Sequence, residues 1–229
     1  MSTISETSAA PKPRHWTVEQ YHQLGELGAF KNEPVEFAQG RVYVKHDGLP
    51  KRWTHEEYHA SGDAGLFDGE RVELIDGEIY VMSPMSIPHA AGIQRVQHAL
   101  QRVCPEELLL RVQLPVLTDR SEPEPNVALV RGSLEDFDEA LPTCPMLAVE
   151  VSISSLQFDR TKKLTTYARQ KIQDYWILNL VDDCLEVYRE PSDDSYQQRT
   201  VLQSGESVSP LAIPQATIDV AKLLPRRSD

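Results

Sequence analysis

The rhythm of apolar and polar positions changes at about residue 88. Downstream, Ile93, Val96, Leu100 and Val103 recur at helical steps and predict a helix from Pro88 to Cys104. Dense apolar runs follow at LLLRVQLPVLT, NVALVR and MLAVEVSI, bounded by turn residues as strands are. A second helix is expected from Asp159 to Ile172, then strands at DYWILNL, CLEVYRE and SYQQRTVLQ. The last stretch, LAIPQATIDVAKLL, predicts a short strand and a helical turn. This order predicts an α/β fold with a mixed central β-sheet flanked by helices.

Upstream of residue 88 the pattern repeats itself. Shifted by 37 residues, HWTVEQYHQLGELGAF…VEFAQGRVYV falls on RWTHEEYHASGDAGLF…VELIDGEIYV without a gap. Trp16, Thr17, Glu19, Tyr21 and His22 meet Trp53, Thr54, Glu56, Tyr58 and His59. Each copy reads as a short helix and a hairpin. Thr54 with Glu57, and Thr17 with Gln20, form capping boxes, and Gly62 and Gly65 should soon end the second helix. Asp76-Gly77 is a strong type I′ turn signal, and Gln39-Gly40 a weaker one. Residues 1–14 are expected to be a disordered tail, 15–50 an extra helix-plus-hairpin copy, and 51–225 the main domain. Removing residues 1–50 should leave that domain folded, with the first copy serving as a lid or dimer surface.

Composition narrows the function. At 40% hydrophobic and 25% charged, the 229-residue chain is globular rather than disordered. Its net charge of -12 gives no global attraction to nucleic acid, so any phosphate backbone must be gripped locally or through metal ions. Cys104, Cys144 and Cys184 are odd in number and far apart, which suggests reduced thiols in a cytoplasmic protein. No apolar run spans a bilayer, and MSTISETSAAPKP lacks the apolar core of a signal peptide.

His55-Glu56-Glu57-Tyr58-His59 satisfies the zincin pattern H-E-x-x-H. It occupies the first turns of a short capped helix, and the other copy lacks the first histidine. A third ligand would be needed, with Glu78 a candidate by chain distance alone. A zinc metalloprotease is therefore disfavoured, and the capping reading preferred. Glu150 carries more chemistry. It sits among Leu147, Val149 and Val151, where an unpaired carboxylate is costly, so it either ligates a metal or points outward near a sheet end. Asn126 begins the neighbouring strand, and Glu122 and Glu124 before it read as loop charges, Glu124 close enough to compete as a ligand. Arg160, Lys163 and Tyr167 share one face of the following helix. That face is either a solvated basic stripe, with Asp159 paired to Lys163, or a source of a lysine aimed at a phosphate or an attacking water.

Taken together, VELIDGEIYVMSP…H, EPEPNVALV, VEVSISS and DRTKKLTTYARQKIQDYWILNL resemble the Uma-type restriction endonucleases of bacteria, which have a PD-(D/E)xK core of the restriction-endonuclease-like superfamily. The resemblance covers about Trp53 to Leu224. It implies an endonuclease that hydrolyses phosphodiester bonds with Mg²⁺ or Mn²⁺, on DNA ahead of RNA, with a second copy of the chain as a candidate partner. It assigns catalytic roles to Glu73, Glu150 and Lys163, with Ser152 at the usual lysine position, and metal ligation to Glu73, Asn126 and Glu150. Tyr167, His89 and Arg160 match auxiliary positions, with Glu124 beside them. The departure is Pro125-Asn126, where the family pattern has Pro-Asp. One ligand charge is then missing, so the expected protein is a weakened nuclease or, in the alternative, a catalytically silent binding or assembly module.

Overall fold

The computed structural model describes residues 10–225, which divide into two compact units. One comprises Pro11–Met82 with Arg120–Glu122; the other comprises Ser83–Asp119 and the chain from Pro123 onward.

In the first unit the order is β1 (Lys12–Pro13), α1 (Val18–Glu26), β2 (Val35–Ala38), β3 (Arg41–Val44), α2 (His55–Asp63), β4 (Val72–Ile75) and β5 (Glu78–Val81). Both helices start with the reciprocal capping box, Thr17 with Gln20 and Thr54 with Glu57. Gly62 lies inside α2, and Gly65, at φ +74°, follows its end. Both hairpins turn through two residues of positive φ, Gln39-Gly40 and Asp76-Gly77, so Gln39 adopts the left-handed conformation despite its side chain.

Two expectations about this unit change. Residues 1–9 of the expected tail lie outside the described residues, but its end is ordered. Lys12–Pro13 pairs with β5, and the Arg14 guanidinium is buried against Glu70 and the Leu66 carbonyl. Nor is the segment before residue 50 an independent appendage. Trp16, Leu24, Ala29 and Val42 share one core with Trp53, Leu66, Val72, Leu74 and Ile79, and the Trp16 and Trp53 rings lie 5.1 Å apart. Residues 15–50 therefore supply Trp16, Leu24, Ala29 and Val42 to a core shared with the second helix and hairpin.

The second unit contains α3 (Ile87–Gln101), β6 (Leu108–Val112), β7 (Val127–Arg131) and β8 (Leu147–Ser152). A helical run follows: α4 (Leu156–Phe158), a π-helical turn over Asp159–Lys163 and α5 (Leu164–Arg169). Strands β9 (Asp174–Asn179), β10 (Cys184–Ser192), β11 (Ser195–Leu202), β12 (Ser207–Val208) and β13 (Ile218–Asp219) lead to α6 (Val220–Leu223). The main sheet has the order β11-β10-β9-β8-β7-β6. Among the described residues only β8 and β9 pair in parallel, joined by the helical crossover that such a pair requires. It is a mixed α/β fold with helices on both faces. Strand alternation splits β8 between two cores: Leu147, Val149 and Val151 face α3, whereas Ala148 packs with Leu164, Tyr167 and Ala168 of α5. Gly92 lets α3 approach closely, since a Cβ there would lie 2.7 Å from Val151 Cγ1.

Candidate active site

Register puts the carboxylate where the helical crossover can reach it. Val127 pairs with Val149, so Asn126, just ahead of β7, comes level with Glu150 of β8. Glu150 is 2% exposed, which excludes the outward-pointing reading. Its Oε1 accepts hydrogen bonds from Lys163 Nζ at 3.0 Å and Tyr167 OH at 2.7 Å. Lys163 and Tyr167 are themselves fully buried, so this is an interior ion pair with a phenol as second donor. The solvated-stripe reading of Lys163 therefore falls.

Asn126 links the pair to α3. Its backbone N–H points at Glu150 Oε2 at 3.4 Å, and its side-chain Oδ1 accepts from Val151 N–H at 2.7 Å. His89 Nε2 lies 3.2 Å from the same Oδ1. An amide oxygen only accepts, so Nε2 carries the proton. Exposure rises outward from the buried carboxylate to half-buried His89, which marks the accessible side of the cluster.

Arg160 and Ser152 have other partners. Arg160 does not join Lys163 and Tyr167, because the π turn between them widens the helix and breaks the i, i+3, i+7 alignment. Its guanidinium instead grips Glu186 of β10, a fully buried carboxylate that also accepts from Arg199, Asn179 and Tyr188. Burial alone would raise the Glu186 carboxyl, but the hydrogen bonds from Arg160, Tyr188, Asn179 and Arg199 outweigh it and hold it at about 2. Asp159 accepts from the Ser152 and Ser155 hydroxyls, so Ser152, at the family's usual lysine position, positions the crossover. Glu124 is half-buried two residues before Asn126. Glu73 belongs to the first unit, where it is buried in β4 opposite Tyr80.

Glu122 is not the solvated loop charge that the sequence suggests. It is 6% exposed within the first unit, its N–H bonded to the Leu74 carbonyl, and its Oε2 lies 2.9 Å from His59 Nε2 and 3.4 Å from His55 Nδ1. Glu78, the ligand suggested by chain distance, instead meets Arg41 and Tyr80. No local signal marks Glu122, since its partners are 48 or more residues away.

The donor chemistry beside Glu150 is a poor match for a hard dication. Mg²⁺ favours charged oxygen ligands. Glu150 supplies one, but both lone pairs of Asn126 Oδ1 are taken by Val151 N–H and His89. Among the described residues, no group of three or more His, Cys, Asp or Glu side chains is placed to hold a metal ion. No described helix is long and apolar enough to cross a membrane.

A family model, Uma2, described as "Putative restriction endonuclease", matches residues 55–221. Among solved structures the chain is similar to a "putative nuclease belonging to DUF820" from Anabaena variabilis, with a TM-score of 0.57 and 19% identity. That match covers 70% of this chain and 95% of the other, and at this identity it speaks for the fold. No curated protein matches the chain.

Proposed function

Because this chain belongs to the Uma2 family of putative restriction endonucleases, we propose that it engages nucleic-acid phosphodiesters, DNA ahead of RNA, beside Glu150 and Lys163, and that Asn126 has weakened its cation-assisted hydrolysis. The observation that carries this reading is the convergence of Lys163 and Tyr167 on one oxygen of Glu150, inside the segment that the family model matches. The buried Lys163 ammonium is the positive charge that a phosphate oxygen would meet, and Glu150 is the group able to hold a proton taken from water. Tyr167 keeps the carboxylate oriented. Three unpaired cysteines favour a reducing compartment such as the cytoplasm.

Nucleic-acid binding and cleavage assays on duplex DNA, single-stranded DNA and RNA, with Mg²⁺ or Mn²⁺, test the reading. Binding is expected with cleavage near background, and Asn126→Asp should raise cleavage at least about tenfold, since one charge near a cation is worth on the order of a few kcal/mol. Absence of binding to every nucleic acid would end the proposal. Wild-type cleavage as fast as the variant's would remove Asn126 as the limiting residue.

A further inference from the structure

The contacts between the two helix-plus-hairpin copies come in reciprocal pairs. Pro13, entering the first copy, pairs with Tyr80 in the second copy's hairpin, and Pro50, entering the second, pairs with Tyr43 in the first. Arg14 N–H donates to the Ile79 carbonyl at 2.7 Å, and Lys51 N–H to the Val42 carbonyl at 2.9 Å. The Arg14 side chain meets Glu70 at 2.7 Å, and Lys51 reaches Glu33 at 3.6 Å. Trp16 lies 6.1 Å from Phe67, and Trp53 lies 6.4 Å from Phe30. Corresponding residues in each pair of contacts stand 37 positions apart, the same shift that relates the copies.

Two further contacts join a position to its own equivalent: Trp16 to Trp53, with rings 5.1 Å apart, and Arg41 to Glu78 at 3.2 Å. Reciprocal contacts around self-equivalent ones mark an isologous interface, the kind that two identical chains form about a twofold axis. Here both sides of that interface belong to one chain. Each copy lends its entry segment to the other's hairpin. A pair made of two second copies would set Glu78 against Glu78, and Arg41 makes the unlike pair the better one.

We propose that the second helix-plus-hairpin, residues 53–81, is a self-association surface whose partner is another unit of its own kind, and that the first copy fills it from within the chain. The full chain then offers this face to no second molecule, whereas a chain that cannot fold back takes its partner from a neighbour.

The test shortens the turn between the copies. Val44 N–H donates to the Leu49 carbonyl, which brings Pro50 back beside Tyr43 across residues 45–48. Deleting His46, Asp47 and Gly48 from the full chain leaves Lys45 alone there, too little for a hairpin, whose common tight turns take two residues. Sedimentation of this variant beside the wild type should show a doubled mass, from two chains exchanging their first copies. A folded variant of unchanged mass would overturn the proposal. Should the shortened chain not fold, the full chain with a protease site in place of those three residues decides. Cut after folding, ¹⁵N-labelled and unlabelled samples would be mixed, warmed to just below melting, cooled and weighed by native mass spectrometry. Particles that combine the first piece of one sample with the second piece of the other should appear, and their absence would sink the idea.

Discussion

Glu150 and Glu186 sit opposite the same residue, Ile177, on either side of β9. Two strand spacings separate them, about 10 Å. One helical crossover serves both, through Lys163 and Tyr167 for the first and Arg160 for the second. Both are buried and both accept from a tyrosine hydroxyl at 2.7 Å. They differ in the cation. Glu186 is locked by the planar forks of Arg160 and Arg199, with Asn179 filling a further lone pair. Glu150 is held by a lysine, a compact charge on a flexible stem that can turn to another acceptor. Equal burial therefore does not mean equal restraint: the arginine-clamped carboxylate fastens the crossover to the sheet, and the lysine-held one is the group to which the proposed function gives chemistry.

The sharpest way to break this contrast is to remove each carboxylate. Glu186→Ala leaves two guanidinium groups facing an empty interior position, and should cost about 3 kcal/mol and lower the melting temperature by roughly 6–12 °C. Glu150→Gln keeps an acceptor for Tyr167 and should cost about half as much. Equal losses in thermal or urea melts would erase the distinction.

Acid offers a second discrimination. Glu186 titrates near 2 when folded, below its ordinary 4.5, so its contribution is fully present above about pH 4.5 and fades as the pH falls toward 2. Between pH 6 and pH 3 the wild type should lose about 2 kcal/mol more than Glu186→Gln, which has no such proton to bind. Parallel losses in the two proteins would mean that the clamp does not depend on the charge.

The lysine pair gives a smaller effect. Lys163→Met strands the Glu150 charge, and adding Glu150→Gln should restore about 1–2 kcal/mol of what is lost. A strictly additive double-mutant cycle would show that the pair contributes nothing to folding. The smallest change expected is in the response to metal. Millimolar Mg²⁺ should stabilise Asn126→Asp by about 1 kcal/mol, or roughly 2–4 °C, while leaving the wild type almost unmoved. The same shift in both would show that position 126 does not face a cation at all.

How legible these features are depends on how locally each is encoded. The turns at Asp76-Gly77 and Gln39-Gly40 can be read because positive φ restricts residue choice at the turn itself. Glu150 is half legible: an apolar strand makes a carboxylate conspicuous, but Val149 and Val151 face the other side of β8, so only the contacts with Lys163 and Tyr167 decide against an outward-pointing side chain. Glu186 hides in CLEVYRE, where alternation with Leu185 and Val187 suggests a solvent face; only the helix packed there makes it an interior residue. The π turn has no signature within DRTKK, so an α-helical spacing puts Arg160 on one face with Lys163 and Tyr167, whereas its guanidinium meets Glu186. Glu122 depends on a bridge to Leu74, and no local pattern announces a pairing of that range.

That bridge also orders events in time. Arg120, Ser121 and Glu122 bond to Gly77, Asp76 and Leu74 of the first unit, after 37 residues that belong to the second. During synthesis the first hairpins and their tryptophan core can assemble early, yet Gly77 N–H and Asp76 N–H wait for partners until residue 122 has left the ribosome. A nascent chain stalled before that point should carry a frayed β4–β5 turn, and one stalled just beyond it a protected one. The first unit thus reaches its finished form only after α3 and β6 of the second have already been made.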